Sequence, residues 1–169
     1  RDPARVLPSV CSLIATVRSI FCDDTGRERL GRAELAIWAE GIGRAVALMF
    51  AREGADVALG YLHEEQTDAE ETRQEVEATS RRCLLLPGNL TDATYCARLV
   101  EETVRSFGKL DILVSNAAHQ NRKARLAELT DAELIETFET NVYAYVRLAR
   151  AALEHMKPGG VIIATSSET

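Results

Sequence analysis

The sequence lacks the usual marks of a metal site. Its four cysteines, Cys11, Cys22, Cys83 and Cys96, form no Cys-x-x-Cys, and His63, His119 and His155 are scattered, so zinc-type ligand spacing is missing. Cysteines in this arrangement read as small buried hydrophobes kept reduced, and a cytoplasmic location is the expectation. No long hydrophobic run is present either. Residues 6–22 are fairly apolar but are interrupted by Pro8 and Arg18, too short a stretch to cross a bilayer, and no small-residue cleavage site follows them as a secretory leader requires. Like charges never gather into a tail; Glu64-Glu65 and Glu70-Glu71 fit a solvated helix face. The net charge of −6 speaks against non-specific nucleic-acid binding. There is no internal repeat and no low-complexity segment.

What remains is an ordinary globular composition, 46% hydrophobic and 27% charged over 169 residues, which favours one domain. Residues 1–30 show no convincing period and stand as an unassigned N-terminal extension. From about residue 31 to 169 the pattern alternates between helix and strand at the spacing of βαβ units. Residues 42–52 read as a helix with Ala45, Val46, Met49 and Phe50 on one face, ended by Gly54. Residues 55–61 form a strand, 64–79 a polar helix, and 82–86 a second strand. Thr91 or Asp92 caps a helix that runs to Phe107, with Cys96, Leu99, Val100, Val104 and Phe107 at three- and four-residue steps. Gly108 stops it, and residues 111–114 are a strand. Thr130 with Glu133 makes a capping box for a long helix, broken once, that reaches about His155. Its apolar stripe is Leu134, Phe138, Val142, Tyr145, Ala149, Ala152 and Met156. After Pro158-Gly159-Gly160, residues 161–169 read as the last strand, a buried one that delivers a Ser-Ser pair to its C-terminal end. Residues 34–39 also have strand character, which would carry that strand almost to Gly41. The fold class expected is α/β, a Rossmann-like doubly wound parallel sheet with helices on both faces, whose ligands bind beyond the carboxyl ends of the strands.

Several short motifs fall at those ends. Gly41-Ile42-Gly43-Arg44 opens a helix, where glycines let backbone approach a pyrophosphate and the helix terminus attracts its charge. Gly88-Asn89-Leu90-Thr91-Asp92 follows one strand, and Asp111-Ile112-Leu113-Val114-Ser115-Asn116-Ala117-Ala118 forms another and its turn. Thr140-Asn141-Val142 lies inside the long helix, where asparagine is a mediocre helix former. Ser166-Ser167 closes the last strand.

In this order the motifs resemble the short-chain dehydrogenase/reductase family, from Gly41 to Thr169, and with His119-Gln120 they are similar to its glucose and ribitol dehydrogenase-like branch. The resemblance implies an oxidoreductase that moves a hydride between a nicotinamide and an alcohol or carbonyl. It implies cofactor contacts at Gly41, Ile42, Gly43, Arg44, Tyr61, Asn89, Leu90, Asn116, Ala117 and Ala118. It places Asn141 in a proton relay and Ser167 beside the substrate oxygen as the catalytic positions. Tyr61 stands where members that prefer NAD commonly carry Asp, so the cofactor is NADP or NAD with a lean to NADP. Intact family members pair as homo-oligomers, and no membrane or nucleic-acid partner is implied. Two departures stand out: Ala36 and Ile37 occupy the places of the family's Thr and first Gly, and the 169 residues contain no Tyr-x-x-x-Lys. The chain therefore reads as a C-terminally truncated member with an altered glycine motif, expected to turn over little by itself. The alternative is a non-catalytic pseudo-enzyme or a nucleotide-binding fragment from a damaged or wrongly assembled gene. The substrate is not legible.

Overall fold

The computed structural model describes residues 33–37 and 41–166. Five parallel strands form one sheet: β1 (Ala33–Ile37), β2 (Asp56–Tyr61), β3 (Cys83–Pro87), β4 (Ile112–Ser115) and β5 (Val161–Ala164), in the spatial order β3-β2-β1-β4-β5. The register pairs Leu35 with Ala58 and with Leu113, so the three central strands are aligned at mid-length. The chain builds outward from β1 to β3, then crosses back to lay β4 on the free side of β1. That reversal opens a crevice at the carboxyl ends of β1 and β4.

The helices are α1 (Gly41–Arg52), α2 (Gln66–Glu77), α3 (Ala93–Phe107), α4 (Asp131–Phe138) and α5 (Ala144–Leu153), with a π-helical turn at Glu139–Tyr143 joining the last two. Strand alternation sorts them onto two faces. Val46 and Phe50 of α1 pack on Ile112 and Val114, while Ala47 and Ala51 meet Val57, Leu59 and Val76 of α2. On the opposite face, Ala58 and Leu113 are covered by Cys96, Leu99 and Val100 of α3 and by Ala144, Leu148 and Ala152 of α5. Gly60 is required by that packing: a Cβ there would stand 2.6 Å from Leu99 Cδ1.

Several local signals read from sequence are present. Asp92 caps α3 by accepting from the Thr94 N–H, and Gly108, at φ 79, ends it. Thr130 and Glu133 form the capping box of α4. On α3 the expected stripe faces the core: Cys96, Leu99 and Val100 are buried and Val104 and Phe107 pack against them, with Tyr95 and Thr103 buried beside them. Two expectations need correction. Ala45 is exposed, and Ala47 and Ala51 take its place against the sheet, because the buried stripe of α1 is turned toward β2 and α2. The stripe of the long helix also fails in its first half: Leu134, Phe138 and Val142 are exposed. The π turn inserts residues into the helical count, so the face that leaves α4 is not the face that enters the core. Beyond it the buried positions are Ala144, Leu148 and Ala152, at strict four-residue steps. The strand expected over 34–39 is described as Ala33–Ile37; Trp38, Ala39 and Glu40 lie outside the described residues.

Beneath the sheet's opposite edge, Asp56 gathers the start of β3. Its Oδ1 accepts from the Arg82 N–H at 3.0 Å and from Arg81 Nη2 at 2.8 Å, and its Oδ2 accepts from Arg82 Nη2 at 2.6 Å. Arg82 also lies over the Phe107 ring, 4.8 Å from its centre.

Candidate functional site

The expected site residues collect where the strands end. An open cleft of about 530 Å³, counting its mouth, is lined by Gly60, Tyr61 and Leu62 after β2 and by Gly88, Asn89, Leu90 and Thr91 after β3. Ala118 and His119 after β4, with Glu136 and Thr140 of the long helix, complete the lining. Parallel strands whose crossovers all return from the far edge necessarily bring these turns to one end.

Asn89 and Thr91 form a tight local turn. The Asn89 Oδ1 accepts from the Thr91 N–H at 2.9 Å and from its hydroxyl at 3.0 Å. Leu90 is buried and its carbonyl accepts from the Cys96 thiol at 3.3 Å. Burial holds that thiol up at about 11, so Cys96 is inert packing rather than a nucleophile. Cys83 on β3 is likewise pushed up to about 12 by burial.

Tyr61 ends β2, but its ring turns inward onto Ala69 and Leu85, and its hydroxyl donates to Gln66 Oε1 at 2.7 Å. Desolvation raises its pKa above the ordinary tyrosine value. The cleft therefore meets chiefly the backbone here. Arg44, on the first turn of α1, sends its guanidinium to α2, where it pairs with Glu71 at 3.3 Å and with Glu75. The hydrogen bond it donates to Glu75 leads the causes that raise its pKa. Those pairs compete with any phosphate for the same cation. Gly41, at φ +56, begins α1; among the described residues, its chain neighbours and its own helix backbone aside, no atom lies within 4 Å of where a Cβ would sit, and Ile42 is exposed while Gly43 is buried. A left-handed residue at that point is cheap only for glycine.

Asn141 sits in the π turn and is tied rather than free. Its Oδ1 accepts from the His119 N–H at 2.6 Å and its Nδ2 donates to the His119 carbonyl at 2.9 Å. The side chain thus copies a strand-like pairing with the turn that follows Asn116 and Ala117, both half-buried, with Ala117 packed on the core. The π turn is braced from behind: Arg147 Nη1 donates to Glu139 at 2.5 Å and to the Thr91 carbonyl at 3.2 Å. One guanidinium thereby links the loop after β3 to the turn that holds Asn141. Replacing Asn141 with alanine removes both bonds to His119; amide hydrogen exchange at His119 should accelerate at least tenfold, with exchange in β2 unchanged.

The loop after β4 is fastened to the start of α4. Glu133 accepts from Lys123 Nζ at 2.6 Å, from Asn121 Nδ2 at 2.6 Å and from the Thr130 N–H at 3.0 Å. Lys123 first, then Thr130, hold its carboxyl down to about 2. Ser167 lies outside the described residues; β5 ends at Ala164, and Thr165 after it donates its N–H to the Ser115 carbonyl at 3.0 Å.

Sequence reading missed four participants: Tyr95, whose hydroxyl donates to the Leu86 carbonyl, and Glu136, Glu139 and Arg147. Each makes its contact across elements, so no period or motif announces it. Among the described residues no cluster of His, Cys, Asp and Glu could hold a metal, and none of the helices is long and apolar enough to cross a membrane.

Comparison with known proteins agrees with this geometry. A family model described as enoyl-(acyl carrier protein) reductase matches residues 36–169. The uncharacterized oxidoreductase YhdF of Bacillus subtilis is 46% identical over 129 residues, covering 76% of this chain and 44% of that protein. NADPH-dependent aldehyde reductase 1 of Arabidopsis thaliana is 42% identical over 132 residues, covering 75% and 46%. A short chain dehydrogenase from Burkholderia cenocepacia, solved in complex with NADP, superposes with a TM-score of 0.78 at 33% identity, covering 82% of this chain and 56% of that one. The chain spans about half the length of the curated relatives it matches.

Proposed function

The chain belongs to the short-chain dehydrogenase/reductase family, and on that premise we propose that it forms the nucleotide-binding part of an NAD(P)-dependent oxidoreductase acting on an alcohol or carbonyl. The observation that carries this reading is the cleft at the carboxyl ends of β2, β3 and β4, beside the point where strand order reverses. Open α/β sheets bind dinucleotides at that place.

The residues present fit such a group. Gly41 leaves the approach to the α1 terminus open, and that terminus favours a phosphate. Asn89, Leu90 and Ala118 border the cleft, while Ile42, Gly43, Asn116 and Ala117 stand on the turns on either side of it. Tyr61 offers backbone rather than its hydroxyl. Arg44 could meet a 2′-phosphate only by releasing Glu71 or Glu75. NADP is favoured over NAD on two grounds: no acid closes β2, and the Burkholderia relative carries NADP. When bound, the nicotinamide supplies or accepts the hydride. This chain's part is to bind and orient it. Asn141 holds the His119 turn at the cleft's edge, and Ser167 is assigned to the substrate oxygen. With no Tyr-x-x-x-Lys among the 169 residues, little turnover is expected of this polypeptide by itself. The exposed Phe138, Val142, Tyr143, Val146 and Leu153 support pairing with a second copy.

The test is a titration of the purified chain with NADPH, followed by nicotinamide fluorescence. Saturable binding is expected. Gly41→Val, which forces a β-branched residue to positive φ, should weaken it at least tenfold. A wild-type chain that leaves NADPH and NADH fluorescence unchanged overturns the proposal.

A further inference from the structure

We infer that Arg147 is a positioning residue: it holds the long helix in its π-turned register, and that register sets the Asn141 side chain against the turn at His119. The inference rests on the oxidoreductase reading above, from which Asn141 takes its part, but it is measured without nucleotide, so the two can fail separately.

At 3.6 residues per turn, residues eight apart in an unbroken α-helix point roughly 80° away from each other and stand about 12 Å apart along the axis. Glu139 and Arg147 are eight apart, yet Arg147 Nη1 donates to Glu139 Oε2 at 2.5 Å. The π turn reconciles the two. Over Glu139–Tyr143 it takes up one extra residue, and the Ala144 N–H donates to the Glu139 carbonyl five positions back. The angular offset that remains is that of residues seven apart, roughly 20°, and two long side chains lying along one face can span it. The ion pair therefore belongs to the π register. Straightening the helix would swing Glu139 away from Arg147.

Arg147 touches both ends of that turn. Glu139 is its first residue, and Tyr143, its last, presents its ring 5.8 Å from the guanidinium carbon. A third contact fixes the guanidinium against the sheet: Nη1 also donates to the Thr91 carbonyl at 3.2 Å. The Arg147 and Glu139 side chains are 24% and 26% exposed, so solvent and salt screen the pair less than one that lies open on the surface. Asn141 is the middle residue of the turn. Its Oδ1 and Nδ2 must aim together to pair with the N–H and carbonyl of His119. A register change of one residue turns a helical side chain by roughly 100°, which breaks both bonds. The register that brings Glu139 to Arg147 is thus the one that brings Asn141 to His119.

The experiment is a double-mutant cycle read by amide exchange at His119, with the Asn141 side-chain amide followed by NMR. Arg147→Met keeps the apolar stem and removes the guanidinium. It should accelerate exchange at His119 about tenfold, leave exchange in β2 unchanged, and move the Asn141 Nδ2 resonances toward those of a free amide. Glu139→Gln, which weakens the pair from its other side, should shift both readouts in the same direction. In an Asn141→Ala background, Arg147→Met should add less than about threefold, because the bonds it positions are already gone. An arginine that merely stabilised the helix would act independently, and the two substitutions together would accelerate exchange about a hundredfold. That result overturns the inference. So does an Asn141 side-chain amide that stays in place in both Arg147→Met and Glu139→Gln. If the cycle behaves as expected while the wild-type chain leaves NADPH fluorescence unchanged, the nucleotide reading fails and the positioning by Arg147 stands.

Discussion

Replacing Phe50 with alanine is expected to destabilise the protein by about 4 kcal/mol, the middle of the range for emptying a buried aromatic site. Phe50 is fully buried and is among the largest side chains in the core. It packs with Val46 and Ala55 against Ile112 and Val114, the strand next to the topological reversal. Its neighbours can close the void only in part. For a chain of this length the loss corresponds to a fall in Tm of roughly 10 °C. The same substitution should weaken nucleotide binding, because Phe50 anchors the helix whose first turn carries Gly41 and Gly43. Thermal melts by circular dichroism and an NADPH titration below the new Tm separate the two effects. Wild-type Tm in the variant would show that α1 is not seated on β4 as described.

The second large effect lies at the opposite end of the sheet and depends on pH. Asp56 is nearly buried, and Arg81 and Arg82 converge on it. Burial opposes its charge, but the Arg82 N–H and the two guanidinium groups outweigh that and hold its pKa below the ordinary aspartate value. A depressed carboxylate stabilises the fold above the unfolded-state pKa, about 3.9. That contribution is lost as pH falls through the lower folded-state value. Asp56→Ala should cost about 3 kcal/mol at neutral pH, since it strands two cations and an N–H at once. The figure stays moderate because Arg82 is largely exposed. The gap between wild type and variant should shrink as pH falls below about 4 and on through the lower folded-state value. Urea titrations of both proteins across that range measure it, and a gap independent of pH would refute the assignment.

The parts of this fold that sequence reveals are those governed by neighbours in the chain. Asp92 caps α3 through the residue two positions on, Thr130 and Glu133 complete a box within one turn, and Gly108 ends a helix by its own conformation. Short periodic runs likewise announce the strands. The hidden parts depend on residues far apart. Asp56 and Arg82 are 26 positions apart, Thr91 and Arg147 are 56, and neither pair carries a local signature. The long helix shows both cases. Its break could be read from Asn141, but its buried face could not, because a single π turn changes which residues meet the core. For the site, the motifs located the turns around the cleft. They did not show that Tyr61 turns inward, that Arg44 is held by α2, or that Glu136 lines the cleft. Those placements follow from the packing of α2 and α4, which no motif records.

The most direct test of nucleotide binding at the strand ends is a chemical-shift map of the isotopically labelled chain with ADP-ribose, which carries the adenine and both phosphates without the nicotinamide. Saturable shifts are predicted at the amides of Gly43, Gly60, Asn89, Ala118 and His119, with Val146 and Leu153 on the outer face of α5 unchanged. Shifts confined to that outer face, or no shifts at millimolar ligand, would contradict the account.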